Sequence, residues 1–206
     1  MAGLSKRPGW FAGVAMVLMV AGSPAGGQGQ QPESSAPVQR FTAAITDYVA
    51  LHRQVERYLP PQKIFTDPGE AERAMTVMAD AMRRMRPHAH EGDMFTEDVA
   101  NVFRREILEA LRNSDFDVQT VLDETIAETA EDVAQPTVNG LFSWALGNTM
   151  PPCVLRVLPE LPIELQYWFV GTDLVLIDLH ANLVVDILRD ALSEDDDATG
   201  RMPRCA

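Results

Sequence analysis

The sequence predicts an α+β domain: an N-terminal antiparallel bundle of about four helices followed by a small antiparallel β-meander. Up to about residue 130, apolar residues recur at spacings of three and four, the helical period. From Gln135 onward Pro136, Gly140, Gly147, Pro151, Pro152, Pro159 and Pro162 interrupt every such period. Three runs rich in aromatic and branched residues then follow, divided by turn residues.

The first helix is expected over 38–59, with Val38, Phe41, Ile45, Tyr48, Val55 and Leu59 on one face and His52 in the gap of that face. Pro60-Pro61 stops it. The second starts with Asp67 as N-cap, Pro68 in the first helical position and Glu70 three residues after the cap. It runs to about Arg86 and buries Met75, Met78, Met82 and Met85. That 3-4-3 spacing is a core stripe rather than a set of soft thioether ligands. Thr96 begins the third helix, with Glu97 and Asp98 in the first turn where the helix dipole favours acids. A fourth is expected from about Val118 to Ala130.

In the C-terminal half Leu141, Phe142, Trp144 and Leu146 belong to an irregular connection that must pack against something, and 154–158 suggests a short strand. Clear strand signals cover 165–170, 174–179 and 183–188. Between the last two lies His180-Ala181-Asn182. One unbroken strand from 174 to 188 would align Asp178, His180, Asn182 and Asp186 on a polar face. It would also be far longer than the usual five or six residues, so a hairpin turn with Asn182 in the left-handed conformation is the expectation.

The ends bound the class. Lys6 and Arg7 precede an apolar run from Trp10 to Gly22, and small residues through Ala25 suit cleavage there, so residues 1–25 read as a secretory signal peptide. Residues 26–37 are polar and Gly/Pro/Ser/Gln-rich, a flexible linker. Residues 38–192 form the single domain, helical over 38–134 and irregular or β over 135–192. Residues 193–206 read as a disordered acidic tail. The protein is therefore expected in the periplasm or outside the cell. The formal net charge of −13 becomes −15 without Lys6 and Arg7, which disfavours nucleic acid and anionic lipid surfaces. Cys153 and Cys205 are free to pair in an oxidising compartment or to stay separate; no Cys-x-x-Cys is present.

Chemistry-bearing residues are sparse. Pro87-His88-Ala89-His90-Glu91-Gly92-Asp93 is the densest run of potential ligands, and His88, His90 and Glu91 are the candidate metal residues for zinc, copper or nickel. A polar surface loop is the competing reading of the same residues. No Gly-x-Ser-x-Gly, His-Glu-x-x-His, phosphate-binding loop or dinucleotide fingerprint occurs.

Leu59-Pro60-Pro61-Gln62, Phe65-Thr66-Asp67-Pro68-Gly69-Glu70, Phe169-Val170-Gly171-x-Asp173-Leu174 and Ala181-Asn182-Leu183-Val184-Val185-Asp186 resemble an uncharacterised family of hypothetical exported proteins of Gram-negative bacteria. The resemblance covers most of the chain beyond the leader. It implies export and brings no activity, cofactor or catalytic residue with it.

The expectation is a non-catalytic exported binding or structural module, without cofactor and without membrane insertion once the leader is removed. Its partner is a protein, a peptide or a second copy of the chain. Tyr167, Trp168 and Phe169 alternate across one strand, so one aromatic faces away from the helices and anchors a partner unless a second layer covers it. Two alternatives stand beside this reading: a metal-binding protein using the His88-x-His90-Glu91 loop, and a hydrolase with a hidden carboxylate pair.

Overall fold

The computed structural model describes residues 35–60, 67–114, 135–147 and 150–193. The expected signal peptide, most of the linker, the fourth helix, the acidic tail beyond Ser193 and Cys205 lie outside the described residues. The architecture is α+β, with helices preceding a three-stranded antiparallel meander.

Helix α1 (Ala36–Tyr58) starts one residue before Pro37, whose fixed φ suits the first turn. Helix α2 (Pro68–Met85) carries the expected cap: the Asp67 side chain accepts the Gly69 N–H at 3.1 Å. Only the middle of its methionine stripe is buried, since Met78 and Met82 are in the core while Met85 is half exposed. Helix α3 (Glu97–Arg112) buries Val99, Phe103, Ile107 and Leu111, as its 3-4 spacing requires. Residues 154–158 do not form a strand. Pro151 and Pro152 instead open a single helical turn, α4 (Pro152–Leu155), because proline at the first helical position gives up an N–H that has no partner there anyway.

Strands β1 (Leu165–Val170), β2 (Asp173–Asp178) and β3 (Leu183–Leu188) follow in that spatial order. The first hairpin turns on Gly171 and Thr172, with Gly171 at φ 58°, a conformation that glycine adopts without strain. The second turns at 179–182, and Asn182 sits at φ 48°, so the hairpin reading of this region holds. Leu176 faces Asp186 while Ile177 faces Val184, so Val185 is an extra, bulged residue. The bulge breaks the alternation of β3. Leu183 and Val185 join the core under the helices, Val184 and Ile187 face the other way, and Asp186 reaches the loop before α3.

The sheet is covered on both faces. Its helical side meets an aromatic centre in which Phe41 contacts Phe103 (4.9 Å between centroids), Phe95 (5.5 Å) and Tyr167 (6.4 Å). The opposite side is covered by residues 138–146, with Phe142 and Leu146 packed on Val175, Ile177 and Val184. The same segment runs along the outer edge of β3: Asn139 N–H donates to Val184 O (2.9 Å) and Val184 N–H to Gly140 O (2.9 Å). This layer is what the sequence left open for Trp168. The indole lies against Phe142 and Trp144, so the aromatic triplet is not an exposed strip.

Packing in that second layer is tight at Gly147. A Cβ there would sit 2.7 Å from Phe142 Cζ and 2.7 Å from Trp168 Cε3. Gly147→Ala is expected to destabilise the domain by about 1–3 kcal/mol. Urea unfolding checks this, and an unchanged midpoint would show that the two rings yield freely.

Candidate metal centre

Helix α1 places Tyr48, His52 and Glu56 four residues apart, hence on one stripe. The stripe lies against the end of β2 and the turn after it. Asp178, the last residue of β2, is fully buried, and its carboxylate organises the surroundings. One oxygen, Oδ2, accepts the Tyr48 hydroxyl (2.8 Å) and the His52 Nδ1–H (2.6 Å). The other, Oδ1, accepts the backbone N–H groups of His180 and Ala181, both at 2.9 Å. One side chain therefore closes the hairpin turn and ties it to α1.

This arrangement sets the histidine tautomer. With Nδ1–H committed to Asp178, the neutral ring of His52 carries its lone pair on Nε2, which lies 3.3 Å from Nδ1 of His180. Glu56 Oε1 lies 3.8 Å from the same His180 nitrogen. His52, Glu56 and His180 thus offer three donor atoms that all lie within 4.8 Å of one another. Two nitrogens bound tetrahedrally at about 2.0–2.1 Å from one ion sit about 3.3 Å apart, which is the separation found here. His52 is inaccessible to solvent, while His180 and Glu56 are partly exposed, so two of the three donors reach the surface.

The electrostatics are those of a carboxylate-rich pocket. Burial pulls the His52 pKa down, but the hydrogen bond and charge of Asp178, with Glu56 and Glu164, outweigh it and the net direction is up. Burial, reinforced by Asp178, holds the Tyr48 hydroxyl well above its usual value, so it stays a donor. Arg86 lies over the Tyr48 ring at 5.0 Å. Glu164 is buried beside the turn. Its Oε1 accepts Arg53 Nε–H at 2.6 Å, a bond that lowers its pKa, while Oε2 has no partner among the described residues.

The loop of His88, His90 and Glu91 sits elsewhere and does not converge with these groups. His88 is exposed, His90 Nδ1 lies 2.9 Å from Asp93, and both Glu91 oxygens are taken by Arg189, which also binds Asp173 at 2.7 Å. A Ser–His or Cys–His engine is not built around His52 either, because its two nitrogens face Asp178 and His180. Of the buried carboxylates, Asp178 and Asp186 are committed to backbone N–H groups.

The sequence named Tyr48 and His52 on one helix face and Asp178 and His180 on one possible strand face, and it missed Glu56 and the meeting of the two segments. The 48-52-56 stripe was visible as helical spacing, and Asp178-x-His180 as a turn; nothing local linked the two. No protein-family model, curated protein or solved structure matches the chain.

Proposed function

We propose that this is an exported protein whose function is to bind a divalent first-row metal ion of the zinc class through His52, His180 and Glu56. The observation that carries the reading is the convergence of the three donors within 4.8 Å, with Asp178 behind His52. A carboxylate on the outer nitrogen of a ligating histidine fixes the ring and raises its basicity, which distinguishes a prepared centre from a chance cluster. Imidazole and carboxylate together suit zinc, nickel or copper(II) over magnesium or calcium. Three protein ligands leave the ion a further position for water or for a ligand on a partner. Export rests on the Lys6–Arg7 and 10–22 leader and on the resemblance of the 169–174 and 181–186 motifs to exported proteins.

Isothermal titration of the tag-free chain lacking the leader with zinc chloride tests this. One equivalent is expected to bind, and His180→Ala should weaken it by more than about 100-fold, beyond what loss of an outer-shell partner does. Glu56→Gln, at a partly exposed position, provides a second variant that spares the core. Binding that survives both changes, or binding lost only on His88→Ala and His90→Ala, would overturn the assignment.

A further inference from the structure

Strand β1 forms an edge of the sheet on the side away from the proposed centre's β3 neighbour. The outer edge of β3 is shielded by residues 139–142, whereas on the outer edge of β1 the described residues outside the sheet bond only its first residue, Leu165 N–H donating to Pro162 O at 2.9 Å. Proteins usually guard such an edge with lysine, proline, a bulge or an inward-pointing charge. Here the strand reads Leu165-Gln166-Tyr167-Trp168-Phe169-Val170, with no charge, no proline and no glycine, in a chain that carries 30 acidic residues. It has the composition of a segment that adds to another strand.

The surface beside it is apolar as well. A groove of about 440 Å³ runs between β1 and the segment after α4, floored by Leu158, Leu161, Leu165 and Tyr167. Leu155, which lines it, is 51 % exposed, and Ile163, between the lining residues Leu161 and Leu165 in the chain, is 80 % exposed. Its two exposed charges are of opposite sign, Arg156 and Glu160, and neither makes an ion pair with a described residue.

From these features we infer that β1 pairs antiparallel with β1 of a second copy, joining two meanders into one six-stranded sheet about a two-fold axis. A self-pairing interface must be complementary to itself. A neutral strand meets that condition in antiparallel register, and one cation with one anion flanking the groove meets it too, Arg156 of each copy facing Glu160 of the other. Ile163 and Leu155 lose their exposure in the same step. An unrelated extended peptide would need no such charge pairing, which is why a second copy is the occupant the surface favours.

Sedimentation velocity of the chain lacking the leader tests the pairing, independently of any metal. A dimer is expected. Ile163→Lys, at a position too exposed to matter for folding, should yield monomer. Arg156→Glu and Glu160→Arg should each weaken the dimer by roughly tenfold or more, and an equimolar mixture of the two variants should restore it, since both cross-pairs are then of opposite charge. A wild-type monomer at every concentration up to about 1 mM would overturn the inference. So would a dimer indifferent to Ile163→Lys, or charge variants that weaken the dimer but do not rescue each other. Circular dichroism of each variant separates loss of pairing from loss of fold.

Discussion

Replacing Asp178 with alanine is expected to cost about 3–5 kcal/mol, the range seen when one partner of a buried charged network is removed. For a domain whose total stability lies in the usual range of about 5–15 kcal/mol, that is a large share. The physical reason is that the loss is not one bond. The Tyr48 hydroxyl, His52 Nδ1–H and the two backbone N–H groups of His180 and Ala181 all lose their acceptor inside the protein. Tyr48 and His52 come from α1, more than 120 residues earlier in the chain, so the carboxylate is also a long-range tie between helix and hairpin. Tyr48→Phe serves as the calibration, since it removes one donor and should cost about 1 kcal/mol. Asp178→Asn adds a functional readout. It keeps the volume but cannot accept from His52 with the same charge, and zinc affinity should fall about 10–100-fold while His52 itself remains. Urea unfolding and zinc titration of the three variants check this. An Asp178→Ala loss of under 1 kcal/mol would mean that the network contributes little, and unchanged zinc affinity in Asp178→Asn would detach the carboxylate from the centre.

Much of the fold was legible in the sequence because local chemistry determined it. Asp67 followed by Pro68 marks the start of α2, aromatic and branched residues mark β1, and Asn182 marks a turn that needs a positive φ. Where one local signal competes with another, the reading failed. The apolar run 154–158 looked like a strand, but two prolines before it favour a helical turn. The bulge at Val185 carries no glycine and no other local mark, so nothing announced that Asp186 would leave the alternation of β3. The candidate centre was illegible for a different reason. Periodicity states that Tyr48, His52 and Glu56 share a face of α1, and alternation states where Asp178 can point. Which face of the helix meets which end of the sheet depends on how the core closes, and the aromatic contacts of Phe41 with Phe103 and Tyr167 decide it. The loop of His88, His90 and Glu91 drew attention because its ligand types are adjacent in sequence; the structure spends Glu91 on Arg189 and leaves His88 exposed.

Asp186 should show the second large effect, and its origin lies in the bulge. The extra residue turns the Asp186 carboxylate toward the segment before α3, where it accepts four backbone N–H groups: Gly92 (2.9 Å) and Ile187 (2.8 Å) on Oδ1, Met94 (2.7 Å) and Phe95 (2.8 Å) on Oδ2. Burial pushes its pKa up and the four donors pull it down, with burial prevailing. Alanine here leaves the N–H groups of Met94 and Phe95 buried without an acceptor. At about 1–3 kcal/mol for each such group, the expected loss is about 3–5 kcal/mol, allowing for relaxation of the loop. Asparagine keeps the shape but turns an NH2 toward N–H donors on one side, so about half that loss is expected. The effect should also be local. Phe95 stacks on Phe41 and meets Phe103 edge-on, so freeing its backbone loosens the aromatic centre under α1 and α3, whereas the hairpin held by Asp178 is untouched. Hydrogen exchange reads this directly: the amides of Met94 and Phe95 should exchange much faster in Asp186→Asn, while those of His180 and Ala181 keep their protection. Zinc binding at His52, Glu56 and His180 should be unchanged in the same variant. Equal acceleration at both sites would mean that the two buried carboxylates belong to one cooperative unit. Unchanged exchange at Met94 and Phe95 would show that the loop holds its place without the carboxylate.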